Sequence, residues 1–322
     1  MIRTIFMKRY KIAVLDDYQD VARSFADWTP VEEYADVKVF SDHLHNQGDV
    51  INRLLPFDIV CVMRERTPLS AELLESLPNL KLIISTGHRN ASIATEAAAK
   101  LGIEVVNTGY MAHGALELTW ALLLAIAKHI PQENANFKTG GWQQQVGNDL
   151  KGKTLGVLGL GNLGSKVAEV AKVFKMHVIA WSQNLTPEKA EAAGVKYVDK
   201  ETLFKESDYL TVQMVLSERS KGIVGAEDLE RMKPTAYLIN TSRGPLVDEH
   251  ALIKVLTEKK IAGAAVDVFD KEPLDADHPF RTLPNVLATP HIGFVTQDTY
   301  KVFFSDMVKS LLEWLSDAER QK

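Results

Sequence analysis

The sequence predicts an α/β fold made of two parallel, doubly wound sheets. Two observations carry that expectation. Short runs rich in Val, Ile and Leu, each ending in polar residues, alternate with helix-like segments. The alternation breaks once, over a polar stretch at residues 132–150 that contains Gly140, Gly141 and Gly147, and then restarts. A chain of 322 residues suits two domains better than one.

Taken in order, residues 11–15 form the first expected strand, closed by Asp16 and Asp17. Residues 37–40, 59–63, 82–85 and 105–106 repeat the pattern. Helix-like segments at 47–55, 70–77 and 95–101 separate them, and Gly102 follows the last as a helix stop should. A long apolar helix is expected over residues 115–130, ended by Pro131. After the polar stretch come a strand at 154–158, a helix at 162–174 and a strand at 177–181. Strands at 209–214, 236–240, 263–268 and 285–288 follow, and a last amphipathic helix spans 296–317.

Composition narrows the function classes. The net charge of −5 supplies no broad positive field, so nucleic acid is not an expected partner. The longest strongly apolar stretch, residues 118–127 between Glu117 and Lys128, is half of the roughly 20 residues a membrane span needs. Arg3, Lys8, Arg9 and Lys11 precede Asp16 and Asp17 without the uncharged apolar core of a secretory signal. The single cysteine, Cys61, forbids an intrachain disulfide and a cysteine-based zinc site, which fits a reducing, cytoplasmic setting. His43 and His45 have a metal-like spacing but no carboxylate cluster beside them, so no metal is expected and both read as surface residues.

The chemistry concentrates in four motifs. Gly159, Gly161 and Gly164 form G-x-G-x-x-G between an apolar strand and a helix. The first glycine allows a tight turn, the second lets a pyrophosphate approach the backbone, and the third lets helix and strand pack closely. The acid expected about 20 residues later, which selects NAD, is missing, and so is the base that would select NADP. Ser182 and Asn184 stand there instead, and the next base is Lys189. Three further strands end in Asn240-Thr241-Ser242-Arg243, in Asp267 followed by Glu272, and in Thr289-Pro290-His291. Because strand carboxyl ends line the ligand crevice of a parallel sheet, Arg243, Glu272 and His291 are expected to converge beside the nucleotide loop.

Together VLGLGNLG, NTSRGPLVDE, DVFDKEPL and TPHIG resemble the D-isomer-specific 2-hydroxyacid dehydrogenases, and in particular their phosphoglycerate-dehydrogenase-like members. The resemblance spans nearly the whole chain. It implies a flavodoxin-like substrate domain over residues 1–111 and 294–322, with a Rossmann NAD(P)-binding domain inserted at 112–293. It implies Arg243, Glu272 and His291 as the catalytic set. Asn162 and Leu163 would offer amides to the pyrophosphate, Asp267 would accept from the nicotinamide carboxamide, and Ser182 and Thr241 would complete the cofactor site. Gly87, His88 and Arg89 match the substrate loop, whose amides hold the carboxylate together with Arg243. The family usually carries smaller or apolar residues where His88 and Arg89 stand. Arg64, Glu65 and Arg66 end another strand of that domain and could rim the same cleft.

Those residue types suit the reaction. Reducing a 2-keto acid needs a hydride at the carbonyl carbon and a proton at its oxygen. Imidazole titrates near neutrality and can give that proton. A paired carboxylate favours the charged ring and fixes its tautomer, and a guanidinium offers a planar fork to a carboxylate. NAD is the expected cofactor, with NADP left open, and a small 2-hydroxy or 2-keto acid the expected substrate. A glyoxylate or hydroxypyruvate reductase using NADP and a nucleotide-sensing, corepressor-like binding protein are the alternatives. The resemblance also implies domain closure about crossings near residues 110–114 and 293–296. It further implies a homodimer through the cofactor domains, with the helix from Ala115 and the segment containing Trp142 as candidates; Lys322 follows soon after the last expected helix, so a regulatory extension is not expected.

Overall fold

A computed structural model describes residues 9–320 of the chain. Arg3, Lys8 and Lys322 lie outside the described residues. The chain divides into two compact units, Met1–Met111 with Thr296–Lys322, and Ala112–Val295.

The first unit holds β1 (Tyr10–Val14), β2 (Ala35–Val39), β3 (Ile59–Val62), β4 (Leu82–Ser85) and β5 (Glu104–Asn107). They form one parallel sheet in the order β2-β1-β3-β4-β5. Every residue of β3 and β4 is buried, which is why both read as unbroken apolar runs. Asn46 caps the Gln47–Leu54 helix through the Gly48 and Asp49 amides, and Ser70 caps Ala71–Glu75. Val50, Leu54, Leu73 and Leu74 turn inward onto one face of the sheet. The final helix, Gln297–Arg320, buries Phe303, Phe304, Met307, Leu311 and Leu315, a single stripe at helical spacing. Each such side chain contributes roughly 1.5–3 kcal/mol on burial.

The second unit holds β6 (Thr154–Leu158), β7 (His177–Trp181), β8 (Lys196–Tyr197), β9 (Tyr209–Val212), β10 (Tyr237–Asn240), β11 (Gly263–Val266) and β12 (Val286–Ala288). The order is β12-β11-β10-β9-β6-β7-β8, again all parallel. The crossover from β8 at one edge to β9 beside β6 reverses the winding, and β6 and β9 meet at that reversal. The ends of β10, β11 and β12 are therefore neighbours, so the three motif-bearing loops leave the sheet side by side.

Two expectations change. The long helix ends at Ala127 rather than residue 130, because His129 takes a left-handed conformation (φ 52°). Pro131 then lies in the first turn of a new helix, Ile130–Lys138, where its missing N–H costs no hydrogen bond. The proline starts a helix instead of ending one, and the polar stretch is helical to Lys138. His43 is not a surface residue: its side chain is 10% exposed and its Nδ1 lies 2.8 Å from the buried Asp16 carboxylate. Among the described residues no group of His, Cys, Asp and Glu could hold a metal ion, and no helix is long and apolar enough to cross a membrane.

Candidate active site

Each glycine of the nucleotide loop answers a different demand. Gly159 has φ 103°, and a Cβ there would lie 2.4 Å from the Gln213 carbonyl oxygen. A Cβ on Gly164 would lie 2.0 Å from the Gly159 carbonyl, so helix and turn touch through their backbones. A Cβ on Gly161 would meet nothing within 4 Å, which leaves open space where a ligand must approach. No side chain caps the Asn162–Val173 helix. Its first-turn amides, those of Asn162 and Leu163 among them, point out of the helix with the positive end of its dipole. This donor set fits a dinucleotide pyrophosphate.

At the end of β7, Ser182 closes a turn, its carbonyl accepting from the Leu185 amide at 3.1 Å. Gln183 Nε2 donates to the Arg219 carbonyl at 3.5 Å. Sequence reasoning missed Arg219, which lies 36 positions from Gln183 in the loop between β9 and the helix Ala226–Arg231. Its guanidinium makes no hydrogen bond or ion pair among the described residues. Lys189 is the second residue after Pro187 in the next helix, and its amide donates to Thr186 Oγ1. Thr241 Oγ1 lies 2.7 Å from Thr119 Oγ1, a bond that ties β10 to the long apolar helix His113–Ala127.

Glu272 and His291 come together, as their positions on neighbouring strand ends require. Glu272 Oε2 lies 2.5 Å from His291 Nδ1, and Oε1 accepts from the Phe269 amide at 2.9 Å. The two side chains are 32% and 23% exposed, shielded yet reachable. With Nδ1 directed at the carboxylate, Nε2 is the nitrogen left to exchange a proton. Arg243, one strand over, donates from a guanidinium nitrogen to the Ser242 carbonyl at 2.7 Å.

His291 itself sits at φ 51°, an uncommon conformation for a residue with a Cβ. Asp267 holds it there. Its Oδ1 accepts from Thr289 Oγ1 at 2.6 Å and from the Ile292 amide at 2.8 Å, and its Oδ2 from the Gly293 amide at 2.9 Å. Burial pushes the Asp267 carboxyl above the usual range, against the pull of those three donors. Three of about four acceptor sites on the carboxylate are thus committed to the histidine turn.

Gly87, His88 and Arg89, the residues expected in the substrate loop, lie in the first unit. Gly87 has φ 82°, and its amide donates to Thr108 Oγ1 at 2.9 Å. The His88 and Arg89 amides have no hydrogen-bond partner among the described residues, and both side chains are exposed. Beneath the loop lies Arg64, only 14% exposed at its side chain. Its NH1 donates to the Thr86 carbonyl at 3.2 Å and to the Arg89 carbonyl at 3.4 Å, and its guanidinium faces the Tyr110 ring at 5.4 Å. Arg66 instead donates to the Asp16 carbonyl at 2.7 Å and lies over Tyr18.

Residues 120–293 match the family model for the D-isomer specific 2-hydroxyacid dehydrogenase NAD binding domain. The chain is 37% identical to the glyoxylate reductase of Thermococcus litoralis over 294 residues, 88% of each protein. It is 34% identical to the hydroxypyruvate reductase of Thermotoga maritima, covering 96% of this chain and 99% of that one. A crystal structure of a phosphoglycerate oxidoreductase from Vibrio cholerae superposes with a TM-score of 0.90 at 36% identity, covering 96% of this chain and 99% of that one.

Proposed function

We propose that this chain, which belongs to the D-isomer specific 2-hydroxyacid dehydrogenase family, uses His291 as the proton donor in reducing small 2-keto acids of the glyoxylate and hydroxypyruvate kind. The chain is an NAD(P)-dependent oxidoreductase that interconverts 2-hydroxy and 2-keto acids. The observation that carries the proposal is the Glu272–His291 pair, a carboxylate 2.5 Å from an imidazole at the ends of adjacent loops.

The bound nicotinamide supplies the hydride in reduction and takes it back in oxidation. His291, held by Glu272 through Nδ1, gives its Nε2 proton to the oxygen that becomes the hydroxyl. Glu272 stabilises the charged ring before transfer and keeps the productive tautomer after it. Arg243 receives the substrate carboxylate and polarises the carbonyl with its planar fork. The His88 and Arg89 amides beside Gly87 are donors open to an anionic group of the substrate. Gly161, Asn162 and Leu163 would hold the pyrophosphate of the dinucleotide, and Ser182, Thr241 and Asp267 would hold the rest of it. The first unit is thus the substrate domain and the second the cofactor domain.

We assign the chain a homodimer and a cytoplasmic setting. Phe137, Trp142 and Val146 are 65%, 73% and 91% exposed, and the rings of the first two are 6.4 Å apart. An aromatic patch of that kind favours a second copy. Cys61 is buried and unbridged, in keeping with a reducing compartment.

His291→Gln tests the reading. Reduction of hydroxypyruvate or glyoxylate should slow by about 10²–10⁴-fold, with NADH binding read by fluorescence titration close to wild type. A variant with wild-type turnover would remove His291 from the chemistry.

A further inference from the structure

We propose that Glu249 is a positioning residue for the Glu272–His291 pair, its one carboxylate gripping both ends of the segment 270–278 that carries Glu272. The inference rests on the reading of His291 as the acid and Glu272 as its partner.

Glu249 is the first residue of the helix Glu249–Thr257, which Asp248 caps through the Ala251 amide. Its Oε2 accepts from the Asp270 amide at 3.3 Å, at one end of the segment. Its Oε1 lies 3.1 Å from His278 Nε2, at the other end. The Glu249 and His278 side chains are 15% and 16% exposed, so water competes poorly for their contact, while the Asp270 contact is exposed.

The tautomer of His278 follows from its second nitrogen. Nδ1 accepts from the Phe280 amide at 3.3 Å and so caps the short helix Pro279–Arg281. A neutral ring that accepts at Nδ1 carries its proton on Nε2, and that proton points at Glu249. Glu249 must then accept twice, from Asp270 and from His278. A carboxylate does this, whereas an amide oxygen serves one donor and turns its NH2 toward the other.

The grip is anchored in the core. Phe269 and Phe280 flank the segment, are 6% and 4% exposed, and have ring centroids 6.2 Å apart. The Phe269 amide is the same group that holds Glu272 Oε1, so the Asp270 end of the grip adjoins the catalytic carboxylate directly. Gly244 presses on this base from the neighbouring loop, since a Cβ there would lie 2.0 Å from the Phe269 carbonyl carbon. Movement at residues 269–270 would therefore be felt at Arg243 as well as at Glu272.

The charged surroundings are mixed. Asp248, His250 and Lys221 act on Asp270 together with Glu249, and burial with the two acids pushes the Asp270 carboxyl upward. Lys271 pairs with Asp275 within the segment, and Arg281 donates to the Leu274 and Asp275 carbonyls. On the far side, Asp267 acts on His291. Among the described residues none of these replaces the double acceptor at Glu249.

The test is the pH profile of kcat/KM for hydroxypyruvate reduction by NADH, measured for E249Q, E249A and E272Q. Reduction requires the charged His291 ring, so activity falls as pH rises through one limb. Loosening Glu272 weakens the stabilisation of that charge and moves the limb to lower pH. Both Glu249 variants should show a shift of about half a unit or more, in the same direction as E272Q, with the KM for NADH unchanged. If E249A fails to fold, E249Q carries the test, because it keeps the volume and one acceptor. A limb left in place in the Glu249 variants while E272Q moves it would make Glu249 structural only and overturn the proposal. A limb unmoved even by E272Q would overturn the underlying reading of Glu272, and the proposal with it.

Discussion

Replacing Asp267 by Asn should release the His291 turn while changing almost no volume. The wild-type carboxylate receives Thr289 and Ile292 on one oxygen and Gly293 on the other. An Asn that keeps its oxygen toward the first two turns NH2 against the Gly293 amide, and the opposite flip strands Thr289 and Ile292. Either way a buried donor loses its acceptor, at a cost of about 1–3 kcal/mol. The left-handed backbone at His291, φ 51°, stores a similar roughly 1–3 kcal/mol and persists only while its surroundings over-determine it. The two quantities are comparable, so losing the first should let the turn relax. A displacement of the ring by about 1 Å lowers turnover by about 100-fold. Urea unfolding and steady-state reduction of hydroxypyruvate measure the two effects. The pH sign also follows. Because burial raises the Asp267 carboxyl in the folded state, its contribution to stability is fully present below the ordinary carboxylate range. That contribution is lost as pH climbs through the raised value, so the stability gap between wild type and D267N should be widest in acid. Wild-type turnover together with a wild-type urea midpoint in D267N would refute the account.

Two further outcomes are expected. Arg219→Glu should raise the KM for NADPH about tenfold and leave that for NADH nearly unchanged, because a 2′-phosphate beside Gln183 carries roughly −1.5 to −2 charge; initial rates with each cofactor check it. Gly87→Ala should raise the KM for the keto acid by an order of magnitude or more with the NADH KM unaffected, since the methyl would lie 1.9 Å from Arg64 NH1 on a residue already at φ 82°.

The parts of this molecule that announce themselves in the sequence are those whose physics is local. Gly159, Gly161 and Gly164 sit within six positions of one another, and each answers to a turn or a helix start formed by its immediate neighbours. The strand-end residues Arg243, Glu272 and His291 could be read because apolar runs stop just before each of their loops, and a parallel sheet sends such loops out of one edge. What stayed hidden is non-local. The partner of His43 is Asp16, 27 positions away, and Arg219 meets Gln183 across 36. Asp267 clasps the His291 turn from 22 to 26 positions away, a role that the bare strand-end aspartate did not suggest. Pro131 misled for a different reason: the same ring that forbids a helix interior is at home in a first turn, and only the backbone at His129 decides between them.

The interrupted first unit has a consequence for how the chain is made. Its sheet is complete by Asn107, yet the Gln297–Arg320 helix that packs on the Ala22–Phe25 and Thr29–Glu32 helices is translated only after the whole second unit. Phe25 waits for Phe304 and Tyr300, and the Gly109 amide waits for Asp306 across 197 residues. At ordinary ribosomal speeds of about 5–20 residues per second, that delay is on the order of ten seconds or more. During it the contiguous second unit emerges whole, while the first presents an uncovered apolar face to chaperones and proteases. Nascent-chain triage should therefore act on the N-terminal half, and a ribosome stalled before residue 297 should yield a chain whose two halves differ sharply in protease resistance.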